Sequence, residues 1–91
     1  MRFDRDVRGE WIVDPNELAA KLGITLRLLQ DERNLGLVHT RVDAGHGGNE
    51  GRSRVTVRCR VATWRGVFDE QGRLINERRF RADQPPDGVI W

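Results

Sequence analysis

The stretch Arg52-Ser53-Arg54-Val55-Thr56-Val57-Arg58-Cys59-Arg60-Val61 decides the fold, because aliphatic and cationic side chains alternate along it. Successive side chains of a β-strand point to opposite faces of a sheet, so this period of two predicts a strand with two unlike faces. One face is apolar and carries Val55, Val57, Cys59 and Val61. The other face is mostly cationic and carries Arg52, Arg54, Thr56, Arg58 and Arg60.

The residues after this stretch continue the alternation, but they are too many for one strand. Strands usually have about 3 to 10 residues, so we expect a turn between Arg60 and Thr63, although no Gly or Pro marks it. Residues 69–72, Asp-Glu-Gln-Gly, form a hairpin connection with Gly where a positive φ is needed. The last strand is predicted over residues 73–80.

Another strand is predicted before the deciding stretch, over residues 37–42, where Val38, Thr40 and Val42 share one face. A glycine-rich segment, residues 45–51, connects the two strands. This segment lacks the Lys-Ser or Lys-Thr pair and the following helix that a phosphate-binding loop requires. We therefore interpret it as a hairpin loop.

Two short helices precede these strands. Asp14 is a suitable N-cap, Pro15 suits the first helical position and Glu17 has the capping-box spacing. Gly23 ends this helix, and Thr25 is the N-cap of a second one. Both helices carry leucines that have to be buried, and a sheet is the surface against which they can pack.

The two ends of the chain are less regular. Residues 1–13 alternate around Gly9, which indicates a hairpin whose firmer arm is residues 10–13. Residues 83–91 contain Pro85 and Pro86, which cannot donate to a strand ladder, so a flexible C-terminal tail is predicted there. Folding of Trp91 back onto the domain is the alternative.

Together these patterns predict a single α+β domain over residues 1–82. Two short N-terminal helices pack on one face of a four- or five-stranded antiparallel sheet, and the other face is partly open and rich in arginine. Whether the N-terminal segment forms one strand or a hairpin stays open. The full chain of 91 residues has the size of one domain.

Composition narrows the class of protein. Cys59 is the single cysteine, so the chain has no internal disulfide. No apolar run approaches the roughly 20 residues that cross a bilayer, and no signal-peptide pattern is present. We therefore expect a cytoplasmic protein without a membrane segment.

The candidate binding residues are arginines. Of the 16 basic residues only Lys21 is Lys, a bias over the whole chain that codon composition explains at least as well as function. Five Arg and no Asp or Glu lie between Arg52 and Arg65. Either Asp43 and Glu77 on neighbouring strands pair with this charge, or a phosphate backbone does. The arginines concerned are Arg52, Arg54, Arg58, Arg60 and Arg65.

Catalytic and metal-binding patterns are not discernible in the sequence. His39, His46 and Cys59 show no zinc-type spacing. Cys59 lies on the valine side of its strand, which is typical of a small buried apolar residue rather than a nucleophile. We therefore expect neither an enzyme nor a cofactor or metal ion.

Residues 16–29 resemble the helix-turn-helix of bacterial regulators, in which a small residue, a turn glycine and an apolar anchor recur. Ala19, Gly23 and Leu29 occupy those positions. Residues 36–61 look like the wing of a winged-helix domain, with Arg at its tip. This resemblance implies DNA binding. Glu32, however, stands where the second helix should bury an apolar residue.

The chain also resembles, over nearly its whole length, a family of short bacterial proteins of unknown function. The resemblance lies in Val13-Asp14-Pro15, Leu18-Ala19-Ala20, Leu22-Gly23 and Phe68-Asp69-Glu70-Gln71-Gly72-Arg73. It implies a small α+β fold and no assigned activity.

Two functions follow as hypotheses. The first is a non-enzymatic interaction module whose exposed face, near Trp11 or Trp64, binds a protein partner or forms a homo-oligomer with a second copy of the chain. The second is a nucleic-acid binder that presents its arginine-lined strand and hairpin loop to phosphates.

Overall fold

The computed structural model describes residues 1–81 and 90–91. In chain order its elements are β1 (Asp4–Arg5), β2 (Trp11–Ile12), α1 (Pro15–Leu22), α2 (Leu26–Asn34), β3 (His39–Ala44), a 3₁₀ helix (Gly47–Asn49), β4 (Ser53–Arg58), β5 (Ala62–Phe68) and β6 (Leu74–Arg81). The predicted α+β class is confirmed.

Strands β3, β4, β5 and β6 form a four-stranded antiparallel sheet in the order of the sequence. The first two strands form a separate two-stranded hairpin. The N-terminal segment therefore does not add a fifth strand to the main sheet, and of its two predicted forms it adopts the hairpin.

Both helices begin at the predicted caps. The Asp14 carboxylate accepts a hydrogen bond from the backbone N–H of Asn16 at 2.8 Å, and the Thr25 hydroxyl accepts one from Leu28 at 3.1 Å. Gly23 ends α1 in the left-handed conformation, with φ of 71°. The short connection between the helices follows directly from these local signals.

The core combines helix and sheet residues. Leucines from both helices meet aliphatic and aromatic side chains of β4 and β5, and Val55 and Val57 are fully buried. The principal members are Leu18, Leu22, Leu29, Val55, Val57, Cys59, Trp64 and Phe68. The sheet positions in this set alternate along their strands, so they share one face, as the deciding stretch predicts.

The N-terminal hairpin packs against the aromatic part of this core. The Trp11 ring stacks on Trp64 with centroids 6.1 Å apart, and Phe3 lies 5.5 Å from Phe68. Gly66 makes room for this cluster, since a Cβ there would collide with the Trp64 ring. Hydrophobic contacts thus attach the hairpin to the domain, together with a hydrogen bond from the Phe3 N–H to the Gly72 carbonyl at 2.8 Å.

The turn between β4 and β5 lies within the predicted interval. Cys59 donates its N–H to the Ala62 carbonyl at 2.9 Å, which leaves Arg60 and Val61 as a two-residue connection. Among the described residues only glycines have positive φ, so this turn forms without the conformation that two-residue hairpins usually use. Val61 is 47% exposed, and its predicted place on the buried face is wrong because the strand ends before it.

The connection between β5 and β6 has the predicted form. Asp69 donates its N–H to the Arg73 carbonyl at 2.9 Å, and Gly72 has φ of 78°. The Asp69 side chain accepts hydrogen bonds from the backbone N–H groups of Gln71 and Arg73. These bonds, with that from Arg73 the strongest, hold the pKa of Asp69 below its ordinary value.

Most of the predicted flexible tail, residues 83–91, lies outside the described residues. Ile90 and Trp91 are described, and both are half-buried. Their contacts belong to the candidate site.

Candidate functional site

The sheet positions that alternate with the core positions form a second face, which we call the arginine face. Strand pairing aligns its side chains in rows across all four strands. The middle row is Arg41, Thr56, Arg65 and Arg78. The flanking rows are His39, Arg58, Thr63 and Phe80 on one side and Asp43, Arg54, Val67 and Asn76 on the other. Because neighbouring strands are about 4.8 Å apart, each row spans only about 14 Å.

Three of the five predicted arginines lie on this face: Arg54, Arg58 and Arg65. Arg52 lies just before β4 and is half-buried. It donates to the Asn49 side-chain oxygen at 3.3 Å and to the Trp91 carbonyl at 3.1 Å. Arg52 therefore lies at one end of the arginine face rather than within it.

Arg60 does not lie on the arginine face, and its predicted position there is wrong. The turn ends the alternation of β4, and Arg60 points instead to Glu32 of α2. Its Nε and a terminal nitrogen lie 2.9 and 2.8 Å from Glu32 Oε2, and its backbone N–H donates to Oε1 at 3.3 Å. Glu32 is 1% exposed, so this charged residue occupies a buried position because Arg60 satisfies it. The hydrogen bond from the Arg60 side chain holds the pKa of Glu32 below its ordinary value.

Asp43 is one of the two acidic partners that the sequence predicts for the arginines. Its Oδ1 lies 2.9 Å from Arg41 Nε and its Oδ2 lies 3.4 Å from an Arg54 nitrogen. One carboxylate is thus shared by two guanidinium groups, so it offsets only part of their charge.

Glu77 is the other predicted partner, and it is turned away from the arginine face. It accepts hydrogen bonds from Lys21 Nζ at 2.8 Å and from the Trp64 indole N–H at 3.1 Å. Burial raises the pKa of Glu77, but these two hydrogen bonds, together with the charges of Lys21 and the N-terminus, hold the pKa below its ordinary value. Glu77 therefore stabilises the core side of the sheet.

Sequence reasoning missed Arg41 and Arg78 as members of the site. Both lie in the middle row with Arg65, and Arg78 pairs directly with Arg65 across β5 and β6. The alternation in β3 and β6 could have indicated which face each occupies. The alignment of one strand with the next could not be obtained that way, because it depends on where each turn begins.

A shallow depression of about 290 Å³ lies on the arginine face over β3, β4 and β5. Its walls carry four arginines, one histidine, three threonines and one carboxylate: Arg41, Arg54, Arg58, Arg65, His39, Thr40, Thr56, Thr63 and Asp43. Arg58 is exposed and forms no ion pair or side-chain hydrogen bond with residues 1–81 or 90–91. The lining is therefore polar and predominantly cationic.

Arg65 lies at the centre of the depression, and its pKa is affected by the residues around it. Its Nε donates to the Thr56 hydroxyl at 3.0 Å, which fixes the guanidinium in the middle of the sheet. Burial, and then the nearby Arg54 and Arg41 charges, hold the pKa of Arg65 below its ordinary value, although Asp43 opposes this.

The end of the chain contacts the same face. The Trp91 ring covers Arg54, with the guanidinium carbon 4.3 Å from the ring centroid. This distance is within the range of a cation–π contact. The Arg54 side chain is only 16% exposed, and its buried Nε has no hydrogen-bond partner among the described residues.

The remaining polar candidates are dispersed. His39 lies on the arginine face, His46 lies before the 3₁₀ helix, and Cys59 is buried with its thiol donating to the Ala62 carbonyl at 3.4 Å. Within residues 1–81 and 90–91, no three His, Cys, Asp or Glu side chains are grouped in a way that could hold a metal ion. Across the same residues, both helices fall short of the length and hydrophobicity that a bilayer-spanning segment requires.

Comparison with known proteins gives one match. No curated protein and no solved structure matches the chain. Residues 1–87 match DUF6522, a family of unknown function. The match includes both helices and every strand described above, so the predicted resemblance to a family of unknown function over nearly the whole chain is confirmed. The chain belongs to the DUF6522 family.

Proposed function

We propose that the chain is a non-enzymatic binding module whose arginine face holds the phosphate groups of a nucleic acid. The observation that carries this proposal is the depression in which Arg41, Arg54, Arg58 and Arg65 converge. Among the described residues that line it, Asp43 is the one carboxylate. Guanidinium groups form paired hydrogen bonds with phosphate oxygens, so four of them within a small area suit a phosphate backbone.

The cross-strand pairing supports the same proposal. Arg65 and Arg78 lie directly opposite each other on β5 and β6. Like charges in directly opposite positions destabilise a sheet. A bound phosphate would be attracted to both guanidinium groups, so this pairing supports the proposal.

In this proposal the sheet, rather than a helix, contacts the nucleic acid. The second helix of a helix-turn-helix protein has to present a cationic exposed surface to the DNA groove. Helix α2 instead buries Leu29 and Glu32, and Glu32 binds Arg60. If the nucleic acid binds to the arginine face, α2 does not contact it and serves only to pack against the core.

A protein partner or a second copy of the chain is the competing proposal, and we place it second. The large exposed apolar side chains of the described chain are divided among the N-terminal hairpin, the end of α2, the β4–β5 turn and β6: Val7, Ile12, Leu35, Val61 and Ile75. The edge strand β6 carries Glu77, Arg78 and Arg79 around its middle. Charged side chains on an edge strand oppose pairing with the edge of another sheet.

The test is binding of fluorescently labelled, mixed-sequence oligonucleotides of DNA and RNA, followed by anisotropy between 50 and 200 mM salt. Four phosphate contacts predict a log–log slope of roughly −3 for a single strand, at about 0.7 per contact. No binding at 50 mM salt would contradict the proposal. Poly-glutamate as competitor distinguishes the alternatives: displacement at equal charge concentration would favour an acidic protein partner.

Variants locate the binding surface. Arg41→Ala and Arg58→Ala should each weaken binding uniformly across sequences and lower the magnitude of the salt slope by about 1. Arg27→Ala is the matched control, because Arg27 is an exposed arginine on α2 and its loss changes the net charge equally. If the control weakens binding as much as the other two, net charge rather than the arginine face is responsible.

A further inference from the structure

Trp91 occupies one end of the arginine face in a way that indicates what the site recognises. Its ring lies over the guanidinium of Arg54, 4.3 Å from ring centroid to Cζ. Its carbonyl oxygen accepts a hydrogen bond from Arg52 at 3.1 Å. Trp91 therefore places a flat ring on Arg54 and an acceptor oxygen beside Arg52.

The contact leaves Arg54 incompletely satisfied. One terminal nitrogen of Arg54 lies 3.4 Å from Asp43, a long hydrogen bond, and within residues 1–81 and 90–91 the buried Nε has no partner. The indole of Trp91 has a donor but no acceptor, so it cannot accept from that Nε. A buried donor without a partner is unfavourable. A ligand with both a flat ring and acceptor oxygens would suit this position better than Trp91.

We infer that Arg52 and Arg54 form a subsite for an unpaired nucleotide, whose base stacks on Arg54 in place of the Trp91 ring and whose phosphate binds Arg52. The inference rests on the proposed function and adds the form of nucleic acid that is preferred. Arginine planes stack on the bases of single strands, and stacking tolerates any base. Bases inside a duplex are stacked on each other and cannot enter the site, so single strands bind more tightly than duplexes.

Trp91 then competes with the ligand base for the surface of Arg54. A ligand base and the Trp91 ring cannot cover Arg54 at the same time, so the ring has to leave when the base binds. The apparent affinity is lower than the intrinsic affinity by the fraction of molecules whose subsite is vacant. Removal of the Trp91 ring should therefore strengthen single-strand binding more than duplex binding.

The experiment compares one sequence as a single strand and as a duplex, by anisotropy at 50 mM salt, with the complete chain and its variants. The unmodified chain should prefer the single strand by about tenfold, as stacking of one base allows. Trp91→Ala should increase that preference severalfold. Arg54→Lys keeps the charge but removes the planar surface, so it should lower single-strand affinity more than duplex affinity and reduce the preference to about threefold or less. Trp91→Phe, which retains an aromatic ring, should resemble the unmodified chain.

Tryptophan fluorescence gives an independent measurement. Displacement of Trp91 should change the emission of the unmodified chain on addition of the single strand, whereas Trp91→Phe should show little change, since Trp11 and Trp64 lie in the core cluster. Equal binding of single strand and duplex overturns the inference and leaves the proposed function in place. A single strand that binds Trp91→Ala more weakly also overturns it, because the ring would then assist binding. Absence of any binding removes both proposals.

Discussion

The two faces of the four-stranded sheet carry side chains of opposite character: one is apolar and packs in the core, and the other is rich in arginine. On β4, Val55 and Val57 are fully buried in the core, whereas Arg58, the next residue, is exposed on the arginine face. The core face supplies apolar burial, which is the main favourable contribution to folding. The arginine face also buries Val67 and Phe80, but its middle row concentrates like charge. The comparison indicates that stability and binding can be altered separately.

The two faces also differ in how their cations are paired. On the core side of the sheet, Lys21 binds Glu77, and at the turn Arg60 binds Glu32, each with its own carboxylate. On the arginine face, Asp43 is shared by two arginines. Glu77 and Glu32 thus each pair with one cation, whereas Asp43 is divided between two guanidinium groups of the arginine face.

The largest effect is expected from removal of a core side chain. Trp64→Ala should lower the free energy of unfolding by about 3–5 kcal/mol, because it leaves a cavity in the aromatic cluster. Arg58→Ala, on the other face, should change it by no more than about 0.5 kcal/mol. Urea denaturation followed by circular dichroism measures both. Similar losses for the two variants would contradict the distinction between the faces.

A smaller, pH-dependent effect on stability is expected at the ion pair between the buried Glu32 and the exposed Arg60. Because Arg60 lowers the pKa of Glu32 in the folded state, the ionised carboxylate stabilises the fold at neutral pH. That contribution is lost as the pH falls through the folded-state pKa, which lies below the ordinary value of about 4.3 for glutamate. The chain should therefore be more stable than Glu32→Gln at pH 7, and the difference should shrink as the pH falls below 4.

Thermal unfolding of the two proteins at several pH values gives this difference directly. Asp69 and Glu77 also have lowered pKa values, but both proteins contain them. Their contributions therefore cancel when one melting temperature is subtracted from the other. A difference in melting temperature that stays constant between pH 7 and pH 3 would show that the charge of Glu32 has no part in stability.

The smallest effect is expected on the arginine face. Arg78→Glu places a carboxylate directly opposite Arg65, and cross-strand pairs of opposite charge contribute roughly 0.2–1 kcal/mol. Arg78→Gln is the control, because both variants lose the contact of Arg78 with the Phe80 ring. The Glu variant should be the more stable of the two and should bind single strands more weakly. A Glu variant that is less stable than the Gln variant would argue against excess positive charge at this position.

Local signals predicted most of the elements. Alternation fixed the two faces of β4, and the caps at Asp14 and Thr25 fixed the starts of both helices, because each depends only on residues close in the chain. The hairpin at Gly72 was predictable for the same reason: a positive φ there favours glycine. These features do not require knowledge of which elements meet.

The candidate site was only partly predictable, because it depends on long-range alignment. Asp43 was identified as a partner for the arginines, but Glu77 was assigned to the wrong face. Arg60 was misplaced because the position of a turn without glycine decides whether it continues the strand or faces α2. Arg41 and Arg78 join the site only through strand register, which the sequence pattern does not specify.

The ion pair between Glu32 and Arg60 connects two parts of the chain that are 28 residues apart. It links the second helix to the tip of the β4–β5 hairpin, so separation of either element from the domain exposes a carboxylate that the other had satisfied. Such a link favours opening of the helix and the hairpin as one cooperative unit rather than two. In native-state hydrogen exchange, amide protons of α2 and of β4 should therefore share a common opening free energy, and Glu32→Gln should separate them.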